Sequence, residues 1–122
     1  MKISGAIPQL RTTDLESSIR FYTVTLGLKL EFRYEDFYAG IRAGNQLFHL
    51  KRVDEKDPSI AFVADGEHFH LYLKTDDVSA AAAALKAKAV VFVKDIHDTA
   101  WGTREIAIKD DQGHTLYLGE SS

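Results

Sequence analysis

Two histidines on alternating apolar segments, His49 within Gln46-Leu47-Phe48-His49-Leu50-Lys51 and His70 within His70-Leu71-Tyr72-Leu73-Lys74, are the residues of this chain best suited to chemistry. An imidazole can ligate a divalent ion, exchange a proton near neutral pH, or hydrogen-bond a ligand. Tyr117 could work with His70 as an acid–base pair, and Glu105 could join His49 and His70 as a two-histidine, one-carboxylate metal set. The plainer reading of His70 is a pocket histidine that hydrogen-bonds Tyr72, Tyr117 or a ligand. Gln9 and Tyr72 add polar contacts, while Phe37, Tyr38 and the sole tryptophan, Trp101, offer flat apolar surface. Arg104 could pair with Glu105 or Asp110, or meet a ligand carboxylate.

Other chemistries are excluded by what the sequence lacks. With no cysteine, it has no thiolate ligand, thiol nucleophile or disulfide. No glycine-rich phosphate loop, nucleophile elbow or helical His-Glu-x-x-His pattern occurs. The formal charge is -3, from 18 acidic and 15 basic residues spread along the chain. Without a basic run, nucleic acid is not an expected partner. No stretch approaches the roughly 20 apolar residues of a membrane span, and the N-terminus lacks the apolar core of a signal peptide. The expectation is a cytoplasmic protein that does not enter a membrane.

The elements that must position these residues form a repeat. Ile7-Pro8-Gln9-Leu10-Arg11-Thr12-Thr13-Asp14-Leu15 is echoed 63 positions later by His70-Leu71-Tyr72-Leu73-Lys74-Thr75-Asp76-Asp77-Val78. Each copy is an alternating strand that runs through an Asp into a helix. Asp14 is a good N-cap, and Leu15, Ile19, Tyr22 and Leu26 recur at helical spacing up to Gly27, predicting a helix over about 15–26. Strands are expected near 28–32, 38–41 and 46–51. Residues 53–67 read as a linker with a short strand at Ile60-Ala61-Phe62-Val63. Beyond it come a strand at 69–75, an alanine-rich helix at 78–88, and strands near 90–94, 105–109 and 115–119. Asp110-Asp111-Gln112-Gly113 supplies a turn.

At 122 residues the chain suits one domain, 1–122, whose halves are module one (about 3–52) and module two (about 68–120). Alternation within each strand sends Leu10, Phe48, Leu50, Leu71, Leu73, Leu116 and Leu118 towards the helices. The same alternation turns Ile7, Gln9, His49, His70, Tyr72 and Tyr117 to the opposite face, where a pocket could lie.

Two copies of strand, helix and three strands, together with Asp14-Leu15-Glu16-Ser17-Ser18-Ile19-Arg20-Phe21-Tyr22, Leu26-Gly27 and Asp110-Asp111-Gln112-Gly113-His114, resemble the vicinal oxygen chelate superfamily of glyoxalase I, extradiol dioxygenases, and fosfomycin- and bleomycin-resistance proteins. The resemblance implies an α+β fold: two tandem βαβββ modules forming a curved mixed sheet with helices on its outer face. Tyr34-Glu35-Asp36-Phe37-Tyr38-Ala39-Gly40 and Thr99-Ala100-Trp101-Gly102-Thr103-Arg104-Glu105 are most similar to segments of bleomycin-resistance proteins. That similarity implies a homodimer with ligand grooves at the subunit interface.

In the superfamily's metal enzymes the ligand positions correspond here to Ile7, His49, His70 and Tyr117, of which only His70 keeps the usual residue. Ile7 cannot bind a metal, and neutral Tyr117 is a poor replacement for a carboxylate. The resemblance therefore implies a metal-free, drug-sequestering protein that holds a small, aromatic ligand and needs no cofactor. Its ligand-binding residues would be Gln9, Phe37, Tyr38, His49, His70, Tyr72, Trp101, Arg104 and Tyr117. The alternative is a lyase, transferase or dioxygenase using Zn, Ni, Mn or Fe held by His49, His70 and Glu105.

Overall fold

The computed structural model describes residues 1–121, which fall into two compact units divided between Lys56 and Asp57. The first contains β1 (Gln9–Thr12), α1 (Leu15–Arg20), a π-helical turn (Phe21–Thr25), β2 (Lys29–Tyr34), β3 (Tyr38–Ala43) and β4 (Gln46–Arg52). The second contains α2 (Ser59–Asp65), β5 (Leu71–Lys74), α3 (Val78–Ala87), β6 (Phe92–Asp98), β7 (Thr103–Lys109) and β8 (Thr115–Ser121). Each unit builds a four-stranded mixed sheet of the same topology, β1-β4-β3-β2 in one and β5-β8-β7-β6 in the other. In both, the first strand runs parallel to the last and the remaining pairings are antiparallel.

The repeat read from sequence reappears as matched helix starts. Asp14 and Asp77 are both N-caps, with φ/ψ of -143°/95° and -145°/92°. Asp14 Oδ1 accepts from the Ser17 amide at 3.0 Å, and Asp77 Oδ1 from the Ala80 amide at 2.9 Å. Each carboxylate satisfies an amide that the first helical turn leaves open. Behind Asp14, the buried Thr12 and Ser18 hydroxyls bond each other at 2.7 Å, fastening β1 to α1.

The helix expected over 15–26 is α-helical only to Arg20. Its last turn widens, so that the Leu26 amide reaches back to the Phe21 carbonyl at 3.0 Å and the Leu28 amide to that of Tyr22 at 2.9 Å. Tyr22, fully buried, packs edge-on against Phe48 with ring centres 5.1 Å apart. Gly27, at φ +72°, ends the turn in a conformation that side chains with a Cβ resist.

Ile60-Ala61-Phe62-Val63, read as a short strand, lies instead inside α2. The deciding feature is Asp57-Pro58: the Asp57 carboxylate accepts from the Ser59 amide at 2.9 Å, and proline fits the start of a helix because its missing N–H would have no partner there. A short apolar run does not by itself distinguish strand from helix.

Each unit has its own core. In the first, Leu10, Leu15, Ile19, Ile41, Phe48 and Leu50 are buried; in the second, Ile60, Val78, Ala82, Leu85, Ile106, Ile108, Leu116 and Leu118 are. Val78, Ala82 and Leu85 recur every three or four residues, so α3 has a single buried face although alanines surround it. Full burial of each large aliphatic side chain contributes roughly 1.5–3 kcal/mol.

Candidate functional site

In the first unit the open sheet face is built around a three-membered hydrogen-bond chain. β1, β3 and β4 bring Gln9, Tyr38 and His49 together, with Gln9 beside His49 in the parallel register. The Gln9 amide donates from Nε2 to the Tyr38 oxygen at 3.0 Å, and the Tyr38 hydroxyl lies 3.0 Å from His49 Nδ1. With its oxygen accepting from Gln9, the phenol has its single proton available for Nδ1, the donor direction that completes a one-way chain Gln9 to Tyr38 to His49. In that arrangement the imidazole proton sits on Nε2, for which no hydrogen-bond partner is found among the described residues, and His49 offers an N–H donor to the open face.

Phe32, which sequence reasoning passed over, completes this face. Its ring is near-parallel to Tyr38 (centres 6.3 Å apart, 19° between planes) and meets His49 edge-on at 5.3 Å. The ring lies over Gly40, its cross-strand partner, where a Cβ would collide with it. A β-strand aromatic opposite a glycine was the available signal. Phe32 is 39% exposed and Phe37 45%, so flat apolar surface is displayed here, with the Lys51 ammonium 5.8 Å from the Phe37 ring centre.

The second unit presents a different polar arrangement. Tyr72 donates its hydroxyl to Glu105 Oε2 at 2.7 Å, and Thr103 donates to the same oxygen at 2.9 Å. Glu105 is only 3% exposed. Gly119 permits this packing, since a Cβ there would strike the Tyr72 hydroxyl. Burial, followed by the bond to Glu105, raises the Tyr72 phenol above the ordinary tyrosine range. Phe69 packs against Tyr117 (4.9 Å) and Tyr72 (5.7 Å), while the Tyr117 hydroxyl donates to the Glu67 carbonyl at 3.2 Å. A cleft of about 320 Å³ opens beside them, lined by Tyr72, Lys74, Thr103, Gly119 and neighbouring residues.

His70 does not join Tyr72 and Tyr117, contrary to strict alternation. It precedes β5, and Phe69 takes the place among the aromatic rings instead. The Thr115 amide donates to His70 Nδ1 at 3.2 Å, which leaves the proton on Nε2, 3.1 Å from the Ser59 hydroxyl. The ring stands edge-on to His114 at 4.8 Å. His114, buried, is bound through Nδ1 to Asp110 Oδ2 at 2.7 Å. Desolvation, then the neighbouring His114, lowers the His70 pKa. His70 thus ties α2 to β8. Asp110 is indeed a turn residue, its Oδ1 accepting from the amides of Gln112, Gly113 and His114, but it also orients this buried imidazole.

The donor set does not suit a metal ion. Ile7, 53% exposed, offers no donor atom. His49 is held through Nδ1 by Tyr38, both His70 nitrogens are engaged, and Tyr117 donates to a carbonyl. Glu105 is occupied by two hydroxyls, and among the described residues no three His, Asp or Glu side chains gather as a metal site. Arg104 pairs with Asp98 at 3.1 Å, not with Glu105 or Asp110. Trp101 stands 76% exposed in the turn between β6 and β7.

Two βαβββ modules, each with aromatic side chains on its open sheet face and the first with an imidazole among them, define the class of the protein. Residues 6–118 match the family model of the Glyoxalase/Bleomycin resistance protein/Dioxygenase superfamily, and the chain belongs to that superfamily. It is 32% identical over 108 residues to an uncharacterized protein of Mycolicibacterium smegmatis, covering 88% of this chain and 84% of that protein. Among solved structures it resembles the bleomycin-binding protein of Streptomyces verticillus, crystallised with copper(II)-bleomycin (TM-score 0.73, 24% identity, 100% and 99% of the two chains). It is similarly close to lactoylglutathione lyase from Agrobacterium tumefaciens (TM-score 0.74, 19% identity, 98% and 95%). At these identities the structural likeness defines the fold alone.

Proposed function

We propose that this protein binds a small aromatic molecule without a metal and acts by sequestration, as a homodimer of the bleomycin-resistance type. The observation that carries the reading is the Gln9–Tyr38–His49 chain, which fixes an imidazole N–H donor beside the displayed rings of Phe32 and Tyr38. An aromatic surface with a few oriented polar groups can hold and orient a flat ligand. Trp101, Phe37, Tyr72, Arg104 and Tyr117 remain candidate contacts, while His70 serves by positioning α2. The likeness to a bleomycin-binding protein supports the reading, but the formal charge of -3 is modest for a binder of so cationic a drug.

The competing reading, a metal-dependent lyase, transferase or dioxygenase using His49, His70 and Glu105, would have to break existing hydrogen bonds, since both His70 nitrogens and Glu105 Oε2 are already engaged. A thermal-shift screen of aromatic ligands, run with and without nickel, zinc, manganese and iron, tests the choice. Ligand stabilisation independent of metal, and lost in His49→Ala, is expected. A stoichiometric metal retained through purification and lost in His49→Ala/His70→Ala would overturn it. Sedimentation should show a dimer.

A further inference from the structure

In the second unit a separate notch of about 170 Å³ is lined by Ala64, Glu67, His68, Val93, Lys94, Ala107, Lys109, Thr115 and Tyr117. The sheet register explains why its cations converge. Lys94 pairs with Ala107, and Ala107 with Tyr117; in the next row Lys109 pairs with Thr115. Side chains in these rows share one face, so the two lysines flank a floor made of small Ala107 and the Tyr117 ring.

Three features point to a ligand. Neither lysine has an ion-pair partner among the described residues, whereas other charged residues of this unit, Lys86 with Asp95 and Arg104 with Asp98, do. Thr115 is 3% exposed and its Oγ1 is buried without a hydrogen-bond partner, a deficit of about 1–3 kcal/mol that a ligand acceptor could relieve. Lys94, Lys109 and His68 share the lining with one acidic residue, Glu67, whose backbone carbonyl holds the Tyr117 hydroxyl. The accessible walls contributed by Val93, Ala64 and Tyr117 are apolar, so a bare inorganic anion would leave them uncovered. A cavity of roughly 150 Å³ is enough to admit benzene, so this one is sized for a single ring.

We infer that the notch between β6, β7, β8 and the end of α2 binds a small carboxylate with a single-ring apolar body. The acid group lies between Lys94 and Lys109 within reach of the Thr115 hydroxyl, and the ring rests against Tyr117 and Val93. This assignment deepens the binding reading above and rests on it for the role of Tyr117.

Benzoate is the probe, added to the full-length protein while backbone amide resonances are followed by NMR. Saturable shifts are expected at Lys94, Ala107, Lys109, Thr115 and Tyr117, with benzamide and inorganic phosphate each at least about tenfold weaker, the loss that one charged hydrogen bond or one apolar contact surface produces. Lys94→Gln/Lys109→Gln should lower benzoate affinity by about tenfold or more, and Thr115→Val by about threefold to tenfold, with dispersed spectra in both. Equal binding of benzamide, equal binding of phosphate, shifts confined to other residues, or no saturation at millimolar benzoate would overturn the assignment. If benzoate fails while uncharged aromatic ligands still perturb His49 and Phe32, the carboxylate site falls and the sequestration reading stands.

Discussion

Phe32 lies flat across Gly40, and the missing Cβ is what lets its ring reach the edge of His49. The Gly40→Ala substitution should lift the ring away from the imidazole. Stability should change by no more than about 1 kcal/mol, because the lost ring contact is offset by reduced freedom of the unfolded chain. Proton NMR gives the check: the ring-current shift of the His49 protons in the parent protein should disappear in Gly40→Ala and in Phe32→Leu alike. An unchanged His49 shift in both variants would refute this arrangement.

The Gln9–Tyr38–His49 chain predicts one tautomer of His49. Nitrogen-15 NMR of the neutral imidazole should find the proton on Nε2, the state in which Tyr38 donates to Nδ1. The Tyr38→Phe variant should relax this to a tautomer mixture and weaken aromatic-ligand binding by about tenfold, the effect of one oriented hydrogen bond. A proton found on Nδ1 in the parent would reverse the direction of the chain and favour a lone pair facing outward.

His70 makes the second unit sensitive to acid. Because burial, then His114, lowers its pKa from the usual 6.5, the neutral ring is the form the fold prefers. Its contribution is present above about that value and is lost as pH falls through the lowered one. Protonation places a hydrogen on Nδ1, opposite the Thr115 amide that must donate there. The groups facing the ring are His114, Asp57, Asp110, Ser59 and Thr115. Melting temperature measured from neutral pH to about pH 4.5 should fall more steeply in the parent than in His70→Gln. Parallel curves would remove His70 as the source.

Tyr72 and Glu105 predict an effect at the alkaline end. The raised phenol pKa means that the stabilising bond to Glu105 is fully present below the ordinary tyrosine value of 10.0 and is lost as pH rises through the raised one. Ultraviolet titration of Tyr72→Phe should lack one late ionisation seen in the parent. At neutral pH the same variant leaves the buried Glu105 with Thr103 alone and should cost about 1–3 kcal/mol in denaturant unfolding. No change in either measurement would show that the carboxylate does not depend on this hydroxyl.

Local chemistry written in consecutive residues is legible in the sequence itself. Asp14 and Asp77 announce helices because a cap needs only a carboxylate and an amide three residues on, and the alternating leucines identify the inward faces of β1, β4 and β8. The paired βαβββ modules and the superfamily follow from that pattern. Contacts that depend on three-dimensional register were not legible. Phe32 over Gly40, Lys94 and Lys109 around Thr115, and Arg104 with Asp98 each join residues whose proximity is set by strand pairing. His70 shows the limit most clearly. Its type and position in the repeat were correct, yet alternation begins one residue later, at Leu71, so backbone geometry turned the imidazole to His114 and left Phe69 with the tyrosines. The sequence alone determined which residues could do chemistry, because donor and acceptor capacity belongs to residue type. Tertiary structure decided which of them keep that capacity free, because a hydrogen bond already made inside the fold consumes it.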